Sequence, residues 1–286
     1  MAKKGLLIIA VLLFFSACSF NKPVSECPDY RIYIRPADTR ETIIQSILEA
    51  DPQANTKPLN FLLEHRDYDE HMHTGCYTIK SGATPKQVSD MLLSGNQTPV
   101  RLTINSTRTI GQMARAIANQ VMVDSAAIAS RLTSPQFLDS MGYNPTNVFC
   151  MIIPNTYEVY WNSSASSILS RLVKERNRFW TDERKAKAKS IGLTEDEVII
   201  LASIIEEETA KLDEFPIIAG VYMNRLKKKL PLQACPTVIF AMGGERPKRV
   251  LKKHLEYDSP YNTYKNPGLP HGPIRFVSTP SINAVL

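Results

Sequence analysis

The residues Leu193 to Thr209, LTEDEVIILASIIEEET, restrict the fold of this chain more than any other stretch. Thr194 followed by Glu197 makes a capping box, so a helix starts there. At 100° per residue, Val198, Leu201, Ala202, Ile205 and Thr209 fall in one stripe. Ile199, Ile200 and Ile204 cover most of the remainder, so the helix is expected to be buried nearly all round. A chain of 286 residues that is 43% hydrophobic can bury such an element. The helix then ends in three glutamates. Glu207 falls beside Ser203 on the polar side, where solvation is cheap. Glu206 and Glu208 fall on opposite flanks of the apolar stripe. A partly desolvated carboxyl there has the character a general acid needs at neutral pH. The plain alternative is a solvated helix end, since carboxylates are seldom buried.

Residues 1–20 read as a signal or membrane anchor. Lys3 and Lys4 precede an apolar run from Leu6 to Phe15, followed by Ser16-Ala17-Cys18. The small residues before Cys18 resemble a lipoprotein cleavage box, and extending the run to Phe20 gives a short bitopic anchor instead. Both readings tether the chain to a membrane and place the rest outside the cytoplasm. The formal charge of +6 suits an anionic partner such as a membrane surface or wall polymer. Without a dense Lys/Arg block, nucleic acid is not an expected partner. The cysteines, Cys18, Cys27, Cys76, Cys150 and Cys235, have no metal-ligand spacing, and His65, His71 and His73 lack cysteine partners. No metal or organic cofactor is expected. Disulfides and buried free thiols both remain open for the cysteines after Cys18.

Residues 30–133 read as a small α+β module. A strand-then-helix pattern recurs three times: Arg31–Arg35 then Thr39–Ala50, Cys76–Lys80 then Thr84–Gly95, and Val100–Asn105 then Thr109–Asn119. The segment Gly75 to Gly95 resembles a LysM-type unit, which implies a grip on amino-sugar glycans; a plain packing module reads equally well. Residues 134–286 read as a mainly helical second domain with a loop-rich site. Within it, Ser134 to Asn162 is expected to link and to pack, Ile168 to Trp180 to form an amphipathic helix, and Thr181 to Ser190 to be a solvated charge run. Pro216 to Lys229 is expected to be a helix with Ile217, Val221, Met223 and Leu226 inward. The Pro- and Gly-rich run Asn266 to Pro273 is a constrained loop.

Five ordered blocks carry a specific resemblance: ASIIEEET, AGVYMNRL, LQACPTVIF, SPYNTY and GLPHGPI, with IPNTY upstream. Together they resemble the endolytic murein transglycosylase (MltG, or YceG-like) family over roughly Gly75 to Asn283. The resemblance implies a lyase, membrane-anchored and facing the periplasm or cell wall. It would cleave the MurNAc-GlcNAc bond inside nascent peptidoglycan strands, leave a 1,6-anhydro-MurNAc end and so terminate elongation. Peptidoglycan synthases are implied as partners. The family's catalytic acid maps to Glu208; helical spacing alone leaves Glu206 open as a secondary acid. Candidates for positioning the sugars are Gln233, Tyr261, Asn262, Thr263, Tyr264 and Asn224. Two positions depart from the family: Cys235 stands where Asp is usual, and Phe215 where Arg is usual. Thr279-Pro280 opens a helix close to Leu286, which reads as a truncated end.

One carboxyl group suffices for this chemistry, because the attacking C6 hydroxyl belongs to the sugar being cleaved. Ordinary glycosidases need two. Three other readings compete. A hydrolytic muramidase would use Glu206 or Asp258 to activate water. A non-catalytic glycan-binding lipoprotein would bind without cleaving. A thiol enzyme would pair Cys235 with His254 or His271, against which Pro236 leaves no helix N-terminus at the thiol.

Overall fold

The computed structural model describes residues 20–244 and 249–286. The anchor expected over 1–20, with Cys18, therefore lies outside the described residues apart from Phe20. The chain is a helix-rich α+β protein that divides into two units. One holds the residues up to Val100 together with Glu158–Asn162; the other holds Arg101–Tyr157 and Ser163–Leu286.

In the first unit the alternating run at Arg31 becomes strand β1 (Tyr30–Ile34), with Ile32 and Ile34 turned inward. It pairs antiparallel with β2 (Gly75–Ile79), Tyr30 lying opposite Ile79. Helices α1 (Arg40–Ala50), α2 (Thr56–His65) and α3 (Pro85–Leu93) send Ile43, Ile47, Leu59, Leu63, Val88 and Leu92 into one core with Tyr68 and Tyr77. Thr84 caps α3 in a reciprocal box with Gln87, and Pro85 sits in the first turn, where a missing N–H costs nothing. Because β2 is completed by β1, Gly75 to Gly95 forms only part of a larger unit.

The third strand-and-helix run is not a repeat of the first two. Strand β3 (Val100–Thr103) pairs with β4 (Thr156–Val159), and neither joins the first sheet. Helices α4 (Ile110–Ala118), α5 (Ser125–Thr133), α6 (Pro135–Ser140) and α7 (Ala165–Phe179) belong to the second unit. Ile128 and Leu132 of α5 are fully buried, and α5 packs on α4, α6 and α7. That burial draws the boundary to Val100/Arg101, earlier than the 133/134 division expected from the sequence. Ser134 to Asn162 packs as well as links, as expected: Val148 through Ile153 are all buried.

Helix α8 (Asp182–Ser190) is the solvated charge run, with Ala188 its one buried residue. Helix α9 (Glu195–Glu208) begins at the expected cap, Thr194 and Glu197 bonding reciprocally. Every residue from Val198 to Ile205 is buried, worth roughly 1.5–3 kcal/mol for each large apolar side chain. Around it pack α10 (Phe215–Lys227), α11 (Cys235–Ala241) and α13 (Thr279–Val285), while the short α12 (Lys252–Leu255) follows α11. The register of α10 differs from expectation. Phe215, Ala219 and Tyr222 face inward at helical spacing, whereas Ile217 and Val221 are 69% and 51% exposed. The helix starts on Phe215, and burying that ring rotates the apolar positions after Pro216 outward. Cys27, Cys76, Cys150 and Cys235 are free thiols. Among the described residues no helix is long and apolar enough to cross a membrane.

Candidate active site

The three glutamates at the end of α9 meet three different fates. Glu206, with a side chain 10% exposed, is fixed by the segment leading into α13. Its Oε2 accepts from the Ser278 backbone N–H at 2.8 Å, the Ser278 hydroxyl at 2.9 Å and the Ser281 hydroxyl at 2.8 Å. Arg275 stands 3.5 Å from its other oxygen. Glu207, expected on the solvated side, is 7% exposed instead. Arg108 and Arg275 both donate to its Oε1, at 2.6 and 2.8 Å. The polar side of α9 is covered because Ser203 accepts from the Ile274 backbone N–H, and the neighbouring Arg275 is thereby laid along the helix end.

Glu208 is the exposed one. The partial desolvation expected of it is absent from the free protein, because it is the last residue of α9 and opens into a cleft of about 440 Å³. The Tyr222 hydroxyl donates to its Oε1 at 2.7 Å. Tyr222 is 7% exposed; burial first, then the bond to Glu208, pushes its phenol well above the ordinary range. Ile218, Val221, Tyr222 and Arg225 form one face of α10 toward the cleft, with Thr209, Glu214, Leu232, Gln233 and Cys235 completing its walls.

Of the sugar-positioning candidates, the structure places Gln233 in the wall of the cleft that Glu208 opens into. Gln233 has φ 55°, a left-handed conformation that strains a residue with a side chain. It is held there by donating its N–H to Thr263 O at 3.0 Å and by Arg225, which donates to its Oε1 at 2.9 Å. Arg225 also donates to the carbonyls of Pro231 and Leu232, so one guanidinium shapes the whole turn. Tyr264 lies beside the cleft, its hydroxyl 3.1 Å from Cys235 Sγ. Burial, then the contact with Cys235, pushes that phenol up to about 12.

The remaining candidates are placed elsewhere. Asn262 is fully buried; its amide donates to Leu255 O and Tyr257 O, and its oxygen accepts from the Tyr264 N–H. Thr263 is 1% exposed and accepts from the Ala234 N–H while touching the Thr237 hydroxyl. Both hold the SPYNTY turn against α11 and present nothing to the cleft. Tyr261 packs on Phe240 with ring centroids 4.8 Å apart. Its hydroxyl also approaches Gly272, where any side chain would collide with the Thr146 carbonyl. Asn224 is exposed and lies two residues, about 200°, round the helix from Tyr222. Asp258 is 98% exposed beside Lys265, and Glu206 is locked, so neither supplies the cleft with a second carboxylate. Glu214 does.

Cys235 opens α11 with Pro236 in its first turn, so the thiol does stand at a helix start, contrary to the sequence expectation. Its polar contact is the Tyr264 hydroxyl, whereas His254 Nδ1 accepts from the Leu251 N–H. Among the described residues no three His, Cys, Asp or Glu side chains gather as a metal site. Sequence reasoning left Tyr222, Arg225 and Glu214 out of the site. Starting the helical wheel of α10 at Phe215 would have placed the first two on the face toward Glu208.

Comparison with known proteins supplies the context for this cleft. The chain is 28% identical to the endolytic murein transglycosylase of Bacillus subtilis (strain 168), over 96% of this chain and 80% of that protein. It is 25% identical to the protein of the same name from Streptococcus pneumoniae serotype 2, over 79% of this chain but only 46% of that longer one. The crystal structure of a yceG-like protein from Listeria monocytogenes superposes with a TM-score of 0.58 at 27% identity, covering 90% of this chain and 89% of that one. The model of the YceG-like family matches residues 32–286, and the chain belongs to that family.

Proposed function

We propose that this chain is an endolytic peptidoglycan lytic transglycosylase, with Glu208 as its acid and base. The observation that carries the assignment is the sorting of the three glutamates. Glu206 and Glu207 are bound to arginines and serines, and Glu208 alone opens to the cleft. The names of the Bacillus and Streptococcus relatives give the substrate class. Tyr222 engages Oε1 of Glu208 and so leaves Oε2 toward the substrate. In this reading the protonated carboxyl gives its proton to the oxygen bridging MurNAc and GlcNAc. The C1–O bond breaks with its electron pair going to that oxygen. The C6 hydroxyl of the same MurNAc bonds to C1 and returns its proton to Glu208, leaving a 1,6-anhydro end. Proximity replaces an activated water, since the nucleophile is already part of the sugar. Gln233, Arg225 and Tyr264 would orient the strand at the cleft.

Several finer points belong to the same proposal. The apolar run from Leu6 to Phe15 supports a membrane anchor, with the second unit facing the wall. The strand-turn-helix segment Gly75 to Gly95, joined in its sheet by β1, supports a LysM-like, glycan-gripping role for the first unit. Synthases that extend the strand are the expected neighbours of an enzyme that ends it. The test is mass spectrometry of products from uncrosslinked glycan strands, comparing wild type with Glu208→Gln. Anhydro ends from the wild type that vanish in the variant support the assignment. Reducing ends would mean hydrolysis, and binding without cleavage would mean a glycan-binding protein.

A further inference from the structure

The cleft holds a second carboxylate that the one-acid scheme leaves unused. Glu214 lines the same cleft as Glu208, in the short turn between α9 and α10. It is tied to the residue directly after the acid: the Thr209 hydroxyl donates to Glu214 Oε2 at 2.6 Å. Lys211 Nζ lies 3.0 Å from Oε1. Thr209 is itself oriented, because its hydroxyl also accepts from the Lys211 N–H at 3.1 Å. The carboxylate is therefore aimed by a built turn and is not a freely rotating surface group.

Resting on the transglycosylase reading, we propose that Glu214 is the second carboxylate of the reaction: a fixed negative charge on the cleft wall that stabilises the positive charge building at the anomeric carbon. Glu208 moves the proton; Glu214 moves none. The atoms balance as before. The bridging oxygen leaves with the bond pair and the Glu208 proton, the C6 oxygen closes on C1, and the C6 proton returns to Glu208. Glu214 starts and ends ionised. Its surroundings fit that role better than water activation. The Thr209 hydroxyl and then Lys211 hold its carboxyl below the usual carboxylate range, and a carboxylate so held is a weak base. Lys211 engages Oε1 from the solvent side, 72% exposed, and Thr209 engages Oε2, so the two together hold the carboxylate in one position. A charge that matters only as the C1–O bond breaks is felt in the transition state and not in the bound substrate.

The experiment is steady-state cleavage of uncrosslinked glycan strands by the full chain as wild type, Glu214→Gln and Glu214→Asp, with thermal melts of all three. Glu214→Gln keeps an acceptor for Thr209 and removes the charge, together with the exposed Lys211 pair. The expected result is a fall in kcat of about 10- to 100-fold. KM stays within about threefold, products remain anhydro-ended, and the deficit is constant between pH 5 and 8. Glu214→Asp, which restores the charge, recovers part of the lost kcat at unchanged melting temperature. A Gln variant with kcat within threefold of wild type overturns the proposal. So does a loss confined to KM, or one that Asp fails to relieve, because those outcomes mark a structural turn. Reducing-end products from the wild type would make Glu214 a water-activating base and refute it differently. A wild type that releases nothing removes the transglycosylase reading itself, and this inference with it.

Discussion

The substitutions Glu206→Gln and Glu208→Gln should separate stability from chemistry within one tripeptide. Glu206 Oε2 accepts three hydrogen bonds from Ser278 and Ser281, and Arg275 faces Oε1. A hydrogen bond to a charged group contributes about 1.5–3 kcal/mol and a neutral one about 0.5–1.5. Gln keeps the shape and removes the charge, so each bond loses roughly 1 kcal/mol, and the weakened pairing with Arg275 brings the total to about 3–4 kcal/mol. For a unit of this size each kcal/mol moves the midpoint by about 2–4 °C, so Glu206→Gln should melt about 6–16 °C below wild type. Glu208 is exposed and has one neutral partner. Its Gln variant should melt within about 2 °C of wild type yet release no anhydro ends. Circular dichroism melts at pH 7 read the first quantity and product mass spectrometry the second. Equal melting temperatures for the two variants, or a Glu208→Gln protein that melts as low as Glu206→Gln, would refute the division of roles.

Removing the Tyr222 hydroxyl in Tyr222→Phe deletes the one bond that orients Glu208; kcat should fall about 10- to 100-fold with the melting temperature nearly unchanged, measured on the same glycan strands. Gln233→Gly relieves the positive φ and should keep or slightly raise the melting temperature, by about 1 kcal/mol of relieved strain, while KM rises because the side chain held by Arg225 is gone. At alkaline pH the first unit should weaken. Burial pushes the Tyr77 phenol from 10 up to about 12, so its stabilising effect is complete below pH 10 and is lost as pH rises through about 12. The loss amounts to roughly 2–3 kcal/mol. Tyr77→Phe should melt with a weaker dependence on pH across that window.

Local rules exposed much of this molecule in the sequence, but only where an element's partner was itself. Thr194 with Glu197, and Thr84 with Pro85, placed two helix starts because a cap is decided within four residues. The apolar run Val198 to Ile205 announced a helix buried all round. Several of the failures come from a partner distant in sequence, and the others from a turn whose shape no helical or strand period announces. Glu207 looked solvated because Arg108 and Arg275, far away along the chain, are what neutralise it. Asn262 and Thr263 looked like sugar ligands because polar residues on a loop usually face solvent; here they satisfy the backbone of a buried turn. Strand β3 looked like a third repeat, and its partner β4 lies beyond three intervening helices. Glu214 was visible as a residue but not as a cleft wall, since only the 3-10 turn from Leu212 to Glu214 turns it into the cleft that Glu208 also lines.

A helix C-terminus is an unfavourable place for three carboxylates, because the last carbonyls already present negative charge, and α9 has no basic residue in its last turn. The fold supplies cations from elsewhere, but only to two of the three. Arg275 serves both Glu206 and Glu207, and Arg108 adds to Glu207. Among the described residues Glu208 meets no cation; its partner is the neutral phenol of Tyr222. That difference decides what each glutamate can do. A carboxylate clamped by a guanidinium is fixed in one state, since Arg donates and never accepts. A phenol can donate to a carboxylate and accept from a carboxyl, so it remains a satisfactory partner on both sides of a proton transfer. An acid that must give up its proton and recover it within one turnover requires that kind of partner with no guanidinium beside it, and among the described residues Glu208 is the member of the trio so placed.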